Sequence, residues 1–339
     1  MNILFTSVGR RSYLVEYFKK SLGDKGKVYV ANSTDISPAF EVADGCVVSP
    51  LIYDDSYIPF LLDYCRKMEI SAVIPLFDID LLILARNKQR FTDIGVTVVV
   101  SDEGVIDICN DKWRTYLFGK ENGIGVPATY LSLEDSLSAI RSGEVSFPLI
   151  VKPRWGMGSI AIYQADDEEE LRVFYNKTFK GIKDSYLKYE AAMDIDHCVI
   201  IQEKAKGEEY GLDIIDNLNS EYQTTIVKHK MGMRAGETDC AMVVEDKALS
   251  DFGKKISMAL GHVGNLDVDI MVDGEDIKVL DMNARFGGGY PFSHMAGANL
   301  PEAILNWLAK EETSADVFDV KYNVLAQKNI QIVELKRHD

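Results

Sequence analysis

The sequence contains no CxxC pair, and its five cysteines (Cys46, Cys65, Cys109, Cys198 and Cys240) are scattered and odd in number. A disulfide framework or zinc site is therefore disfavoured, and buried free thiols are expected. No window approaches the ~20 apolar residues of a membrane span. The opening "MNILFTSVGRRSYLVEYF" has one short apolar run and no small-residue cleavage site, unlike a secretory leader. The expectation is a soluble, cytoplasmic protein without a membrane partner. Basic residues are also scarce: 37 Lys plus Arg face 53 Asp plus Glu, a formal charge of −16. Binding along nucleic acid needs a basic face, so no nucleic-acid partner is expected, although a few local cations can still hold a small anion. Neither a GxGxxG fingerprint nor a Walker motif is present, which argues against a nicotinamide-dependent oxidoreductase and a P-loop enzyme. Internal repeats and low-complexity linkers are missing too.

What is present suits a globular chain of two or three domains: 339 residues, 47% hydrophobic and 27% charged. In the first hundred residues, β-rich runs ("NILFTS", "KVYVAN", "SAVIPL", "GVTVVVS") alternate with helical patterns, including a stripe of Tyr13, Leu14, Tyr17, Phe18 and Leu22. Such alternation predicts a parallel sheet flanked by helices. From about residue 111 the pattern becomes mixed α+β and rich in hairpins. Helices are expected up to Gly123, over "SLEDSLSAIRSG", over 167 to about 192 and over 249–261. A hairpin is expected in "NLDVDIMVDGEDIKVLDMNAR", turning at Asp273-Gly274.

That hairpin carries the strongest chemical signal. Side chains repeat every two residues along a strand, so Asp281, Asn283 and Arg285 point the same way, as do Asp267 and Asp269. The turn places Asp269 roughly opposite Asp281. Two carboxylates and an amide oxygen form an all-oxygen donor set suited to Mg²⁺, which takes the rest of its shell from water and phosphate. An adjoining arginine fits a transferring phosphoryl group. In "LIVKPRWGMGS", Lys152 ends an apolar strand, and Trp155, Gly156, Gly158 and Ser159 lie in a turn whose backbone N–H groups can close over phosphates. Lys112 lies forty residues upstream of Lys152. In "VIIQEKAKGEEYGLDI", an apolar strand runs into Gln202 and Glu203, where the backbone can meet an adenine edge. Glu209 beyond it can accept from ribose hydroxyls.

These pieces, in this order and over almost the whole chain, resemble the ATP-grasp superfamily. The likeness is greatest to one half of the carbamoyl-phosphate synthase large subunit, and extends to biotin carboxylase and the pyrrolysine-biosynthesis ligase. The specific part is D/E-x-N-x-R, matched by Asp281, Asn283 and Arg285; Asp281 stands where the family most often has glutamate. The resemblance implies a Rossmann-like pre-ATP-grasp domain (1–108), a small lid lobe (109–200) and a C-terminal lobe with the metal and phosphate site (201–339). It implies ATP as cofactor, with Mg²⁺ or in its place Mn²⁺. Lys112 and Lys152 match the phosphate lysines, Gln202, Glu203, Lys204 and Ala205 the adenine linker, and Glu209 the ribose acid. Asp269, Asp281 and Asn283 are the implied metal ligands.

The implied reaction is ADP-forming ligation of a small-molecule carboxylate to an amine through an acyl phosphate. Arg285, Lys152 and Arg234 are the catalytic candidates. Lys228, Lys230, Arg10 and Arg11 are further candidates for holding the acid, with Tyr290 and His294 as substrate contacts. An ATP-grasp kinase and a silent ATP-binding protein are the alternative readings. A single half without a glutaminase partner argues against carbamoyl-phosphate synthesis. A homodimer is the assembly the family suggests.

Overall fold

Three sheets organise the chain in the computed structural model, which describes residues 1–156 and 160–336. The first contains β1 (Asn2–Thr6), β2 (Lys27–Asn32), β3 (Gly45–Val48), β4 (Ile70–Pro75) and β5 (Thr97–Val98), interleaved with α1 (Ser12–Leu22), α2 (Tyr57–Lys67) and α3 (Asp78–Thr92). The strands run parallel in the order β3-β2-β1-β4-β5. β1, β2 and β4 are buried along nearly their whole length, as parallel strands covered on both faces must be. The "GVTVVVS" run contributes only the two residues of β5, and the strand at "GCVV" was not anticipated. The strand order reverses between β1 and β4, so the loops after them, Ser7–Arg11 and Leu76–Phe77, open a crevice at the carboxyl ends of the sheet.

Two helices, α4 (Glu103–Asn110) and α5 (Lys112–Asn122), lead into the second sheet. Asp111 caps α5 by accepting from the N–H of Trp113, and Gly123 ends it in the left-handed region. The sheet comprises β6 (Thr129–Tyr130), β7 (Leu149–Pro153), β8 (Tyr163–Ala165) and β9 (Val199–Glu203), with α6 (Leu133–Ser142), α7 (Glu168–Lys183) and the short α8 (Lys188–Ala191). It is antiparallel, in the order β6-β9-β7-β8. Leu149, Val151, Ile201, Leu171 and Ile182 form its own core.

The third sheet, also antiparallel, has the order β14-β13-β10-β11-β12-β15. Its strands are β10 (Glu208–Asp216), β11 (Tyr222–Arg234), β12 (Glu237–Val244), β13 (Gly264–Asp273), β14 (Asp276–Asn283) and β15 (Val324–Gln327), accompanied by α9 (Lys247–Leu260), α10 (Tyr290–Ala296) and α11 (Leu300–Ala309). One face is apolar: Leu212, Ile214, Val268, Ile270, Val279 and Met282 are buried and share a core with Leu4 and Val73 of the first sheet and Leu81 of α3. The opposite face is mixed: Asp213, Lys228, Lys230, Asp267 and Asp269 lie on it, beside buried Ile215, Ile226, Ala241 and Val243. That period-two division puts charged side chains in rows. No helix among the described residues is long and apolar enough to cross a membrane.

Candidate active site

Register decides which side chains meet on the mixed face. Asp269 pairs with Asp281, and Asp267 with Asn283, across β13 and β14. On the other side Asp269 pairs with Gly211 and Asp267 with Asp213, while Gly211 pairs with Lys228 of β11. Gly211 leaves the room that two lysines need, because a Cβ there would lie 3.2 Å from Lys230 Cε and 3.4 Å from Lys228 Cε. Lys230 uses that room to donate to Glu209 at 2.8 Å and to Asp269. Lys228 donates to Asp213, which also accepts from Ser293 and, at 3.2 Å, from Asn265.

Two lysines approach from the side of the second sheet. Lys112 Nζ donates to the Gly156 carbonyl at 2.8 Å and lies 3.4 Å from Asp281 Oδ1. Its position is tied to the second sheet: its N–H donates to the Arg154 carbonyl, and Arg154 forks onto both oxygens of Asp111, each at 2.7 Å. Lys152, 7% exposed, has its ammonium pushed down to about 8, by burial first and by Lys112 second. Two buried cations side by side without full compensation are expected where an anion binds.

Arg285 closes the site toward the first sheet. Its Nε and Nη2 both lie 2.8 Å from Asp78 Oδ2, and its Nη1 donates to the Phe286 carbonyl at 3.1 Å. Asp78 opens α3 at the crevice of the parallel sheet. Burial first, then Arg285, lowers the Arg11 guanidinium. Glu190 of α8 reaches the same region, and its carboxyl is pushed up to about 7 by burial and then by Asp78. Ring stacking of Tyr189 on Tyr53 at 4.4 Å, and a looser contact of Tyr186 with Phe77, seat α8 on the first domain.

This three-part arrangement has counterparts among known proteins. Residues 109–289 match the family model described as ATP-grasp domain, and residues 3–99 the one described as PylC-like, N-terminal domain. The chain is an ATP-grasp protein. Its fold is shared with biotin carboxylase from Campylobacter jejuni, solved with an ATP analogue (TM-score 0.74, 15% identity, 96% of this chain and 74% of that one). N5-carboxyaminoimidazole synthetase from Staphylococcus aureus aligns with TM-score 0.68 and 16% identity over 93% and 78% of the two chains. L-amino acid ligase from Bacillus licheniformis aligns with TM-score 0.67 and 17% identity over 95% and 77%.

Within this ATP-grasp protein, the expected residues are distributed unevenly. Lys112, Lys152, Glu209, Asp269, Asp281, Asn283 and Arg285 gather around the mixed face. Gln202 does not: it is buried, its amide donates to Thr129 Oγ1 at 2.9 Å, and its main chain lies between β6 and β7, paired with Thr129 and Ile150. Glu203 pairs with Lys278 at 3.0 Å, Lys204 reaches out to Gln164, and Ala205 is buried. Trp155 packs in the core of the second sheet beneath the Arg154 guanidinium, so its ring is structural. Gly156 offers Lys112 its carbonyl, whereas Gly158 and Ser159 lie outside the described residues. Arg234 sits half-exposed at the far end of β11, paired with Asp239, and makes no contact with the gathered residues among those described. Tyr290 is fully buried, its hydroxyl held by the main chain of Ala298 and Leu300, and His294 stacks on Tyr17; neither side chain faces the site. Asp78 and Glu190 were not anticipated. Asp78 had a signal in its place just past the carboxyl end of a predicted strand; Glu190, on a one-turn helix, had none.

Proposed function

We propose that the protein is an ADP-forming carboxylate–amine ligase that works through an acyl phosphate. The observation that carries this reading is the gathering of Lys112, Lys152 and Arg285 around Asp281, which pairs with Asp269 across the hairpin. A carboxylate is a poor electrophile, and phosphorylation gives it a leaving group. In this reading Lys112 and Lys152 hold the phosphates of ATP, and Arg285 meets the charge that develops on the transferring group and the acid. Asp269, Asp281 and Asn283 suit Mg²⁺ by their oxygen-only donor set. Among the described residues no group of three or more His, Cys, Asp or Glu could hold a metal alone, so phosphate and water would supply the remaining ligands. The ion, when bound, would neutralise phosphate charge. The lid lobe carrying Lys152 excludes water from the reactive anhydride.

The test is incubation with Mg·ATP, hydroxylamine and pooled small carboxylic acids, read for ADP, phosphate and hydroxamate. ADP with a hydroxamate is expected; AMP with pyrophosphate would overturn the acyl phosphate, and a stable phosphorylated product would indicate a kinase.

The depressed Lys152 gives a second expectation. Its ammonium is protonated below about pH 8, and phosphates beside it favour the charged form, so nucleotide binding above pH 8 takes up a proton. Affinity for Mg·ATP should weaken above pH 8 by up to ~10-fold per pH unit. Calorimetry in buffers of different ionisation enthalpy should register the proton. A constant Kd from pH 7 to 9.5 would remove Lys152 from the phosphate site.

A further inference from the structure

We propose that the acid substrate also carries a cationic amine, and that Asp78 and Glu190 form the subsite that receives it; the substrate class is then an amino acid. The inference rests on the ligase reading above. Asp78, Glu190, Lys112, Asp281 and Asn283 line one small cavity between the first domain, the lid and the third sheet, with room for a single water-sized group, about 10 Å³. Asp78 is 3% exposed, and its Oδ1 is buried without a hydrogen-bond partner among the described residues. Glu190 Oε2 is in the same condition. A carboxylate oxygen can only accept, and leaving one buried and unsatisfied is costly. Two such oxygens on residues that line one cavity call for a donor bearing positive charge.

Several observations favour an ammonium group. Asp78 Oδ2 is already committed to Arg285, and the described residues offer no cage of three or more carboxylates there. Lys112, the nearest protein cation on that side, is within 4 Å of Asp281 but of neither Asp78 nor Glu190. Near enough to Arg285 and Asp78 to feel both charges lies Arg11, whose guanidinium makes no hydrogen bond or ion pair among the described residues. Two cations beside two anions form the complement of a zwitterion: carboxylate toward Arg285 and Arg11, ammonium toward Asp78 and Glu190. Because Asp78 belongs to the first domain and Glu190 to the lid, the subsite is complete only when α8 is seated against Tyr53 and Phe77. Recognition of the amine thereby favours the closed lid.

The test is the ADP and hydroxamate assay with L- and D-amino acids, each beside the same acid lacking its amino group. At least one amino acid should be used, with kcat/KM about 100-fold or more above its des-amino counterpart, because a site built to hydrogen-bond an N–H rejects analogues without it. Glu190→Gln should raise KM for that amino acid about tenfold or more, and should lower the preference for it over its des-amino counterpart by a similar factor. Equal use of the des-amino acid would overturn the subsite and leave the ligase reading intact. So would an unchanged KM in E190Q, or use of unaminated acids only. Loss in E190Q of Mn²⁺ binding measured without nucleotide would overturn it by assigning the oxygens to a metal. Turnover of no acid in either panel would overturn the ligase reading, and this inference with it.

Discussion

Arg285→Ala should lower turnover by ~10³-fold or more, the scale on which a transition-state arginine or an oxyanion donor acts, and leave Mg·ATP affinity within a few-fold. Asp281→Ala should lose turnover and nucleotide affinity together, because its carboxylate is a proposed metal ligand and lies 3.4 Å from Lys112. The arginine also has a structural role that must be separated from chemistry. Its Nε and Nη2 are the partners of Asp78 Oδ2, and Asp78 Oδ1 has no hydrogen-bond partner among the described residues. Removing the guanidinium strands a buried carboxylate, a change that typically costs about 3–5 kcal/mol. The double variant Arg285→Ala with Asp78→Asn removes that stranded charge. It should recover most of the lost urea midpoint and none of the turnover. Wild-type turnover in Arg285→Ala would remove the arginine from the reaction; recovery of turnover in the double variant would reduce it to a structural partner of Asp78.

The hairpin was legible because local chemistry specifies it. Asp273-Gly274 forms a tight turn with Gly274 at φ 61°, which sets the pairing as far as Ile270 with Val279; a register shift between Asp269 and Ile270, which alternation alone does not show, then brings Asp269 to Asp281 rather than to Leu280. Lys152 was legible for a similar reason, as a charge ending an apolar strand. The burial of the Gln202 side chain was not legible, because alternation does not say which face of β9 is covered. Residues 199–202 are all buried, and the Gln202 amide finds its partner in Thr129, 73 residues away. Asp78 and Arg285 are 207 residues apart, and only the packing of the parallel sheet against the third sheet brings them together. Glu190 depends on still more: a single helical turn held down by tyrosine stacking, which leaves no periodic trace in sequence. Side chains specified by one strand or one turn can be read from the chain, while those that need two domains to meet cannot.

The three glycines after Arg285 should prove unequal, and the contrast tests how tightly the arginine is held. A Cβ at Gly287 would lie 2.1–2.3 Å from the carboxyl carbon and both oxygens of Asp267, whereas at Gly288 the nearest atoms are 3.7 Å away. Neither residue has positive φ, so the difference is steric. Asp267 cannot yield easily: Asp269, Lys228, Asp213 and Arg285 are its charged neighbours, and its carboxyl is already pushed up to about 7 by burial and by Asp269. The loop must shift instead, and with it Arg285, whose carbonyl accepts from Asn265 at 3.1 Å. A displacement of about 1 Å can cost ~10²-fold in rate. Gly287→Ala should therefore lose on that order of turnover, with nucleotide affinity largely kept, while Gly288→Ala stays near wild type. Adding Asp267→Ala to Gly287→Ala restores the space and should recover about tenfold or more. Equal behaviour of the two single variants would mean the loop adjusts freely. Failure of the double variant to recover would show that the clash with Asp267 is not what positions Arg285.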